Sequence, residues 1–159
     1  MLTIALVVSV MALASACANQ SEPQPVTASL ARQVTASAHC GLSAPGMLYL
    51  SKADDLRRLT ELPGQALSPS SLSGLDFSRE HLVIVALGQK TTAGYGVSLD
   101  FARLSGDELR LEMVLQEPPA GAMVAQVLTT PCVAIAVTSR GWRRLTVAGD
   151  GLPSMSRHR

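Results

Sequence analysis

Apolar positions along this chain recur with different spacings, and each spacing predicts a different element. Short apolar and small-residue runs at 34–40 and 46–51 flank a Gly41–Pro45 turn and predict two strands. At 52–62 the spacing becomes helical: Leu56, Leu59 and Leu62 share a face, Ser51 can cap the start, Asp54 and Asp55 lie in the first turns, and Pro63-Gly64 stop the helix. Residues 65–74, with Pro69 and several serines, predict a surface connection. Residues 80–87 form an almost uninterrupted apolar run, expected of a central strand covered on both faces. Strict alternation follows, placing Tyr95, Val97, Leu99 and Phe101 on one face and then Leu109, Leu111, Met113 and Leu115 on another. The tight Ser105-Gly106-Asp107 connection joins these two strands as a hairpin. Pro118-Pro119-Ala120-Gly121 ends that ladder, and 123–130 reads as a further strand or an extended edge. The apolar strand at 132–138 is expected to pair with 142–147 through the Ser139-Arg140-Gly141 turn. The pattern predicts an α+β fold: a single domain, mainly antiparallel β-sheet, with one amphipathic helix packed on it.

The N-terminal run adds location. Residues 2–13 are uncharged and apolar, too short to span a bilayer, and end in Ala14-Ser15-Ala16 before Cys17. This predicts a signal peptide over 1–16, although its n-region carries no Lys or Arg. Ala14-Ser15-Ala16-Cys17 resembles a lipobox, with Ala14 in place of the usual Leu, and implies lipidation of Cys17; simple cleavage at an Ala-x-Ala site is the alternative. Cysteine parity favours lipidation, because the three cysteines then leave Cys40 and Cys132 as an even pair. A disulfide between them would close a loop of about 90 residues, worth on the order of 4 kcal/mol; two buried free thiols are the alternative. Residues 17–32, rich in Ser, Gln, Ala and Pro, predict a flexible tether, or an arm packed on the domain. The folded domain is expected over 33–150 and a disordered tail over 151–159. The expected location is the bacterial cell envelope, lipid-anchored at the outer membrane facing the periplasm, or soluble if the lipobox is unused.

Charge and composition then exclude classes. Thirteen Lys and Arg against 12 Asp and Glu give a net charge of +1, so no global field attracts nucleic acid, and with aromatics at 3% there is no stacking platform for bases. Gly-x-Ser-x-Gly, HExxH, Walker and GxGxxG motifs are absent. The three histidines, His39, His81 and His158, do not cluster, and His39 beside Cys40 is better explained by an oxidised cysteine than by an activated thiolate. Asp54 and Asp55 point about 100° apart on a helix and suit its positive end rather than a paired-carboxylate site. No catalytic residue, metal site or cofactor is expected.

What remains is the loop Gly88-Gln-Lys-Thr-Thr-Ala-Gly-Tyr-Gly96. Lys90, Thr91, Thr92 and Tyr95 could form a rim and anchor for a protein partner. A solvated Lys90 and a core Tyr95 are the plainer reading. The loop with its preceding strand, then Pro118-Pro119, Gln126-Val-Leu-Thr-Thr-Pro131 and Val133–Val137, resembles the C-terminal domain of the PrcB family, most strongly over 80–147. That family is named for a lipoprotein subunit of a surface protease complex. The resemblance implies a noncatalytic accessory protein that binds and supports an exported partner such as a protease. The typical loop is closer to Gly-x-Lys-x-Thr-Gly-Gly-Tyr, so Ala93 replaces the first glycine of the pair and stiffens the tip. Thr91-Thr92-Ala-Gly-Tyr95 is also similar to a loop of chagasin-type cysteine-protease inhibitors, and Arg140-Gly-Trp142 to their later Arg-Pro-Trp loop. This makes Trp142 a further partner-binding candidate and an inhibitor the alternative function.

Overall fold

A computed structural model describes residues 29–159; the expected signal peptide, Cys17 and most of the expected tether lie outside the described residues. The elements are β1 (Ala31–Ser37), β2 (Pro45–Leu50), α1 (Ala53–Thr60), α2 (Pro69–Leu72), β3 (Glu80–Leu87), β4 (Gly96–Ser105), β5 (Glu108–Gln116), β6 (Cys132–Thr138), β7 (Arg144–Gly149) and β8 (Leu152–His158). They build two four-stranded sheets, ordered β1-β6-β3-β2 and β4-β5-β7-β8. The first sheet is antiparallel throughout; the second is antiparallel except for the parallel pair β5 and β7.

The apolar runs of β3 and β6 explain how the layers stack. Val83, Val85 and Leu87 of β3, with Val133, Ile135 and Val137 of β6, pack against Leu109, Leu111 and Met113 of β5 and Leu145 and Val147 of β7. Their opposite faces, Leu82, Ile84 and Ala86 with Cys132 and Ala134, are covered by Leu59 of α1, Leu72 of α2, Leu67 and Cys40. A strand buried on both faces cannot alternate with polar residues, hence the unbroken hydrophobic sequence. Leu56 of α1 joins the second cluster, while Leu62 falls beyond the helix end and is exposed. α1 starts after Lys52 without a side-chain cap, so Ser51 does not serve as one, but Asp54 and Asp55 occupy its first turn. The short α2 lies within the expected surface connection, where Leu67 and Leu72 help to cover the sheet.

Several expectations are corrected. β7 does not form a hairpin with β6. Trp142 turns the chain out of the first sheet into the inter-sheet core, and β7 then adds parallel to β5 in the second. The expected tail at 151–159 forms β8 instead, pairing with β7 and bringing Leu152 and Met155 onto the core. The first strand starts at Ala31, within the expected tether. β1 and β2, the two strands expected around the Gly41–Pro45 turn, both form and lie at opposite edges of one sheet. The alternation of β4 breaks at a bulge between Leu99 and Phe101, which turns Phe101 outward and Ala102 toward the core. Of the two alternatives for residues 123–130, the strand does not form; the segment is tied to the rest by isolated bridges at Thr129 and Thr130 and by a bond to Ala125 O.

Cys40 and Cys132 form a disulfide with Cα atoms 6.0 Å apart and both residues buried, so the thiol alternative falls. The bond links the end of the β1 segment to the start of β6 across 92 residues. Replacing both with alanine should lower the unfolding free energy by about 2–5 kcal/mol in urea titrations; an unchanged midpoint would show that the link contributes nothing.

Candidate functional site

The loop after β3 is held by its neighbours on both sides. Gly88 has φ +72°, and a Cβ there would come within 2.8 Å of Pro45 Cδ, so the tight passage past the 43–45 turn needs glycine. The Gln89 N–H donates to Ser43 O at 2.9 Å. On the other side the Lys90 N–H donates to Thr129 O at 2.8 Å, and the Thr129 N–H returns a bond to Lys90 O at 2.9 Å. Thr129 Oγ1 donates to Thr92 O at 3.1 Å, and the Ala93 N–H donates to Ala125 O at 3.0 Å. Ala93 has no positive φ, whereas Gly94 has φ +97°. The replacement of the first glycine of the pair therefore falls on the position whose backbone does not require one.

Of the expected partner-binding residues, Thr91 is exposed, and Lys90, Thr92 and Tyr95 are part-buried. Lys90 Nζ lies 5.0 Å from the Tyr95 ring centroid, a cation–π contact, while Tyr95 packs on the inter-sheet core. Tyr95 is thus an inward buttress with its edge at the surface. Trp142 lies in the core: it is 4% exposed, its Nε1–H donates to Thr138 O at 2.7 Å, and it packs edge-on against Tyr49. It also follows Thr138 at the far end of β6, whereas the Gly88–Gly96 loop follows Leu87 beside the start of β6. Seven residues of strand, roughly 20 Å, separate the two ends, so Thr91 and the Arg140–Trp142 turn do not lie side by side.

The residues braced against the loop carry the apolar surface that the sequence reading missed. Met123 is 102% exposed, Leu128 61% and Val127 44%, all on the connection tied to Lys90 and Ala93. The visible signal was the uncharged stretch Pro118–Pro131, too irregular for either face of a strand. On the other flank a cleft of about 520 Å³ opens between the sheets, lined by Leu87, Leu115, Leu152 and Met155, with Lys90 and Glu117 also on its wall.

His81 is buried behind the opposite end, where its Nδ1 hydrogen-bonds the Tyr49 hydroxyl. Burial pushes its pKa below the ordinary value, and Arg159 acts in the same direction. Burial raises the Tyr49 pKa, against the opposing pull of Arg159 and Arg157. His39 is exposed beside the disulfide, so it has no thiolate to activate, and His158 lies on β8.

Residues 81–138 match the family model described as PrcB C-terminal. Over that segment the chain is similar to the PrcB C-terminal family. The match runs from His81, in β3, to Thr138, at the end of β6; it contains the Gly88–Gly96 loop and the Met123–Leu128 ridge, and stops before Trp142. No curated protein and no solved structure matches the chain. What the matched segment holds together is a double-faced strand pair, a hairpin and the two mutually braced connections.

Gly88→Ala should cost roughly 1–3 kcal/mol of stability through the unfavourable φ and the contact with Pro45; an unchanged urea midpoint would remove the close-passage argument. For His81, the unfolded imidazole takes its proton near 6.5 while the folded one resists. Its contribution to stability is complete above that value and is lost as pH falls toward the lowered one. The urea midpoint should drop between pH 7 and pH 5, less so in His81→Gln; identical pH profiles would exclude His81 as the source.

Proposed function

We propose that this is a noncatalytic lipoprotein of the bacterial envelope, anchored through Cys17, whose PrcB C-terminal segment binds and supports an exported protein such as a protease. The observation that carries the reading is the ridge of Met123, Val127 and Leu128, held out on a hydrogen-bonded connection beside Lys90 and Thr91. Large apolar side chains projecting from an ordered loop lose nothing by leaving water, and a polar rim alongside them supplies orientation. Backbone hydrogen bonds from Lys90 and Ala93 keep the ridge in one arrangement, which limits the ordering cost on association. The inhibitor alternative is weakened by the burial of Trp142 and its position at the other end of the fold.

The test is affinity capture from the native envelope with the tagged full chain. Met123→Ser with Leu128→Ser should lose the captured partner, or reduce its retention at least 10-fold, while the urea midpoint stays within about 0.5 kcal/mol because both side chains are exposed. Full retention by this variant would exclude the ridge as the contact. If an exported protease is the partner, its activity should fall in cells lacking this protein; undiminished activity would remove the supporting role. Papain-like enzymes should stay fully active with the purified chain in excess, and inhibition would favour the alternative.

A further inference from the structure

The near-neutral charge of the whole chain conceals a segregation. Between Ser139 and Arg159 there are five arginines, Arg140, Arg143, Arg144, Arg157 and Arg159, and one acid, Asp150. The fold gathers these arginines at one end of the molecule and sends Asp150 to the other. Arg144 pairs with His158 across β7 and β8, the Arg159 N–H donates to Arg143 O at 2.9 Å, and Arg140 lies in the turn that leaves β6. All five are exposed, and among the described residues none forms an ion pair; the pairs present use Arg32, Arg57, Arg103 and Arg110. Two are held in place, Arg157 at 4.1 Å from the Tyr49 ring centroid and Arg159 at 5.3 Å from that of Trp142. A guanidinium stacked on a ring keeps N–H donors at its edge for an anion.

The acids nearby offset this end only in part, because they are outnumbered. Glu80 is paired with Arg32 at 2.8 Å; Asp76, bonded to the N–H and hydroxyl of Ser78, and Glu108, bonded to Thr146 Oγ1 at 2.6 Å and opposite Arg144 in the β5–β7 register, keep their charges. Asp107 is exposed at the β4–β5 turn, and its backbone carbonyl accepts from the Arg143 and Arg144 N–H groups. Against these stand the five arginines and Arg79.

The N-terminal segment enters the fold at this same end. Thr138 N–H donates to Leu30 O at 2.9 Å, and Ala31 pairs with Val137, so the chain from Cys17 arrives two residues from Arg140. That stretch can span at most about 45 Å. We infer that the arginine end docks on an anionic phospholipid surface, turning the Met123–Leu128 ridge away from the bilayer. The inference rests on the lipid-anchor reading for its orientation, and on the charge distribution for the contact itself. Five arginines spread over the β6–β7 turn and the ends of β7 and β8, with Trp142 buried beneath them, lack an exposed aromatic anchor; that suits a diffuse anionic plane better than a peptide.

The experiment uses the full chain carrying Cys17→Ser, which has no acyl chain, and sedimentation with vesicles of phosphatidylcholine alone or with added phosphatidylglycerol. Binding should require phosphatidylglycerol, weaken with salt, and fall about 25-fold in Arg143→Gln with Arg144→Gln, at about fivefold per arginine. Arg140→Gln alone should lose about fivefold, and Lys90→Gln at the other end should change nothing. Equal binding to uncharged vesicles, or undiminished binding by the folded arginine variants, would overturn the inference. Tighter binding to a polyglutamate peptide than to vesicles would also overturn it and assign the surface to an acidic protein segment. Mass measurement of Cys17 in the native chain tests the anchor separately: an unmodified cysteine would remove the anchor and the orientation argument without altering the vesicle result.

Discussion

The pairing of β3 with β6 is the interaction on which the rest depends. Each strand is apolar on both faces, and together they form the wall shared by the inter-sheet core and the layer of helices and loops. Because the wall is buried on both sides, a one-residue slip would exchange the two hydrophobic sets and disrupt both cores at once. The disulfide fixes one end of β6 through Cys132, and Trp142 fixes the other through its bond to Thr138. Everything with a functional reading hangs from the ends of these two strands.

Those ends differ in chemistry. At one, the connection leaving β3 and the connection entering β6 brace each other through Lys90 and Thr129 and present exposed apolar side chains. At the other, the residues following β6 and ending β8 present guanidinium groups, and the N-terminal segment joins the sheet there. A rigid strand pair of this kind separates two contacts by its own length. One surface can then face a bilayer while the other faces a protein, without a hinge between them.

Sequence pattern was most informative where burial is strongest. The double-faced β3, the alternating β5, the Gly106 turn and the Cys40–Cys132 pair were all legible, because each leaves a local signature. Sheet membership was not. Whether β7 follows β6 in its own sheet or crosses to the other depends on where Trp142 finds its core, and no local period records that. The bulge after Leu99 shifted the parity of β4 by one residue, enough to place Phe101 on the wrong face. β8 was hidden by Pro153 and its serines, since only Leu152 and Met155 pay a visible apolar contribution to the core. For the candidate site, the Gly88–Gly96 loop was found from its polar punctuation, while the ridge beside it was read only as a strand or an extended edge, without its exposed apolar side chains. The arginine end was masked by averaging charge over the whole chain.

A photo-cross-linking amino acid placed in living cells at position 123 or at position 143 tests the two-ended arrangement most directly. Position 123 should give adducts with another protein, and position 143 adducts with phospholipid. Lipid adducts at 123, or protein adducts without lipid at 143, would contradict it.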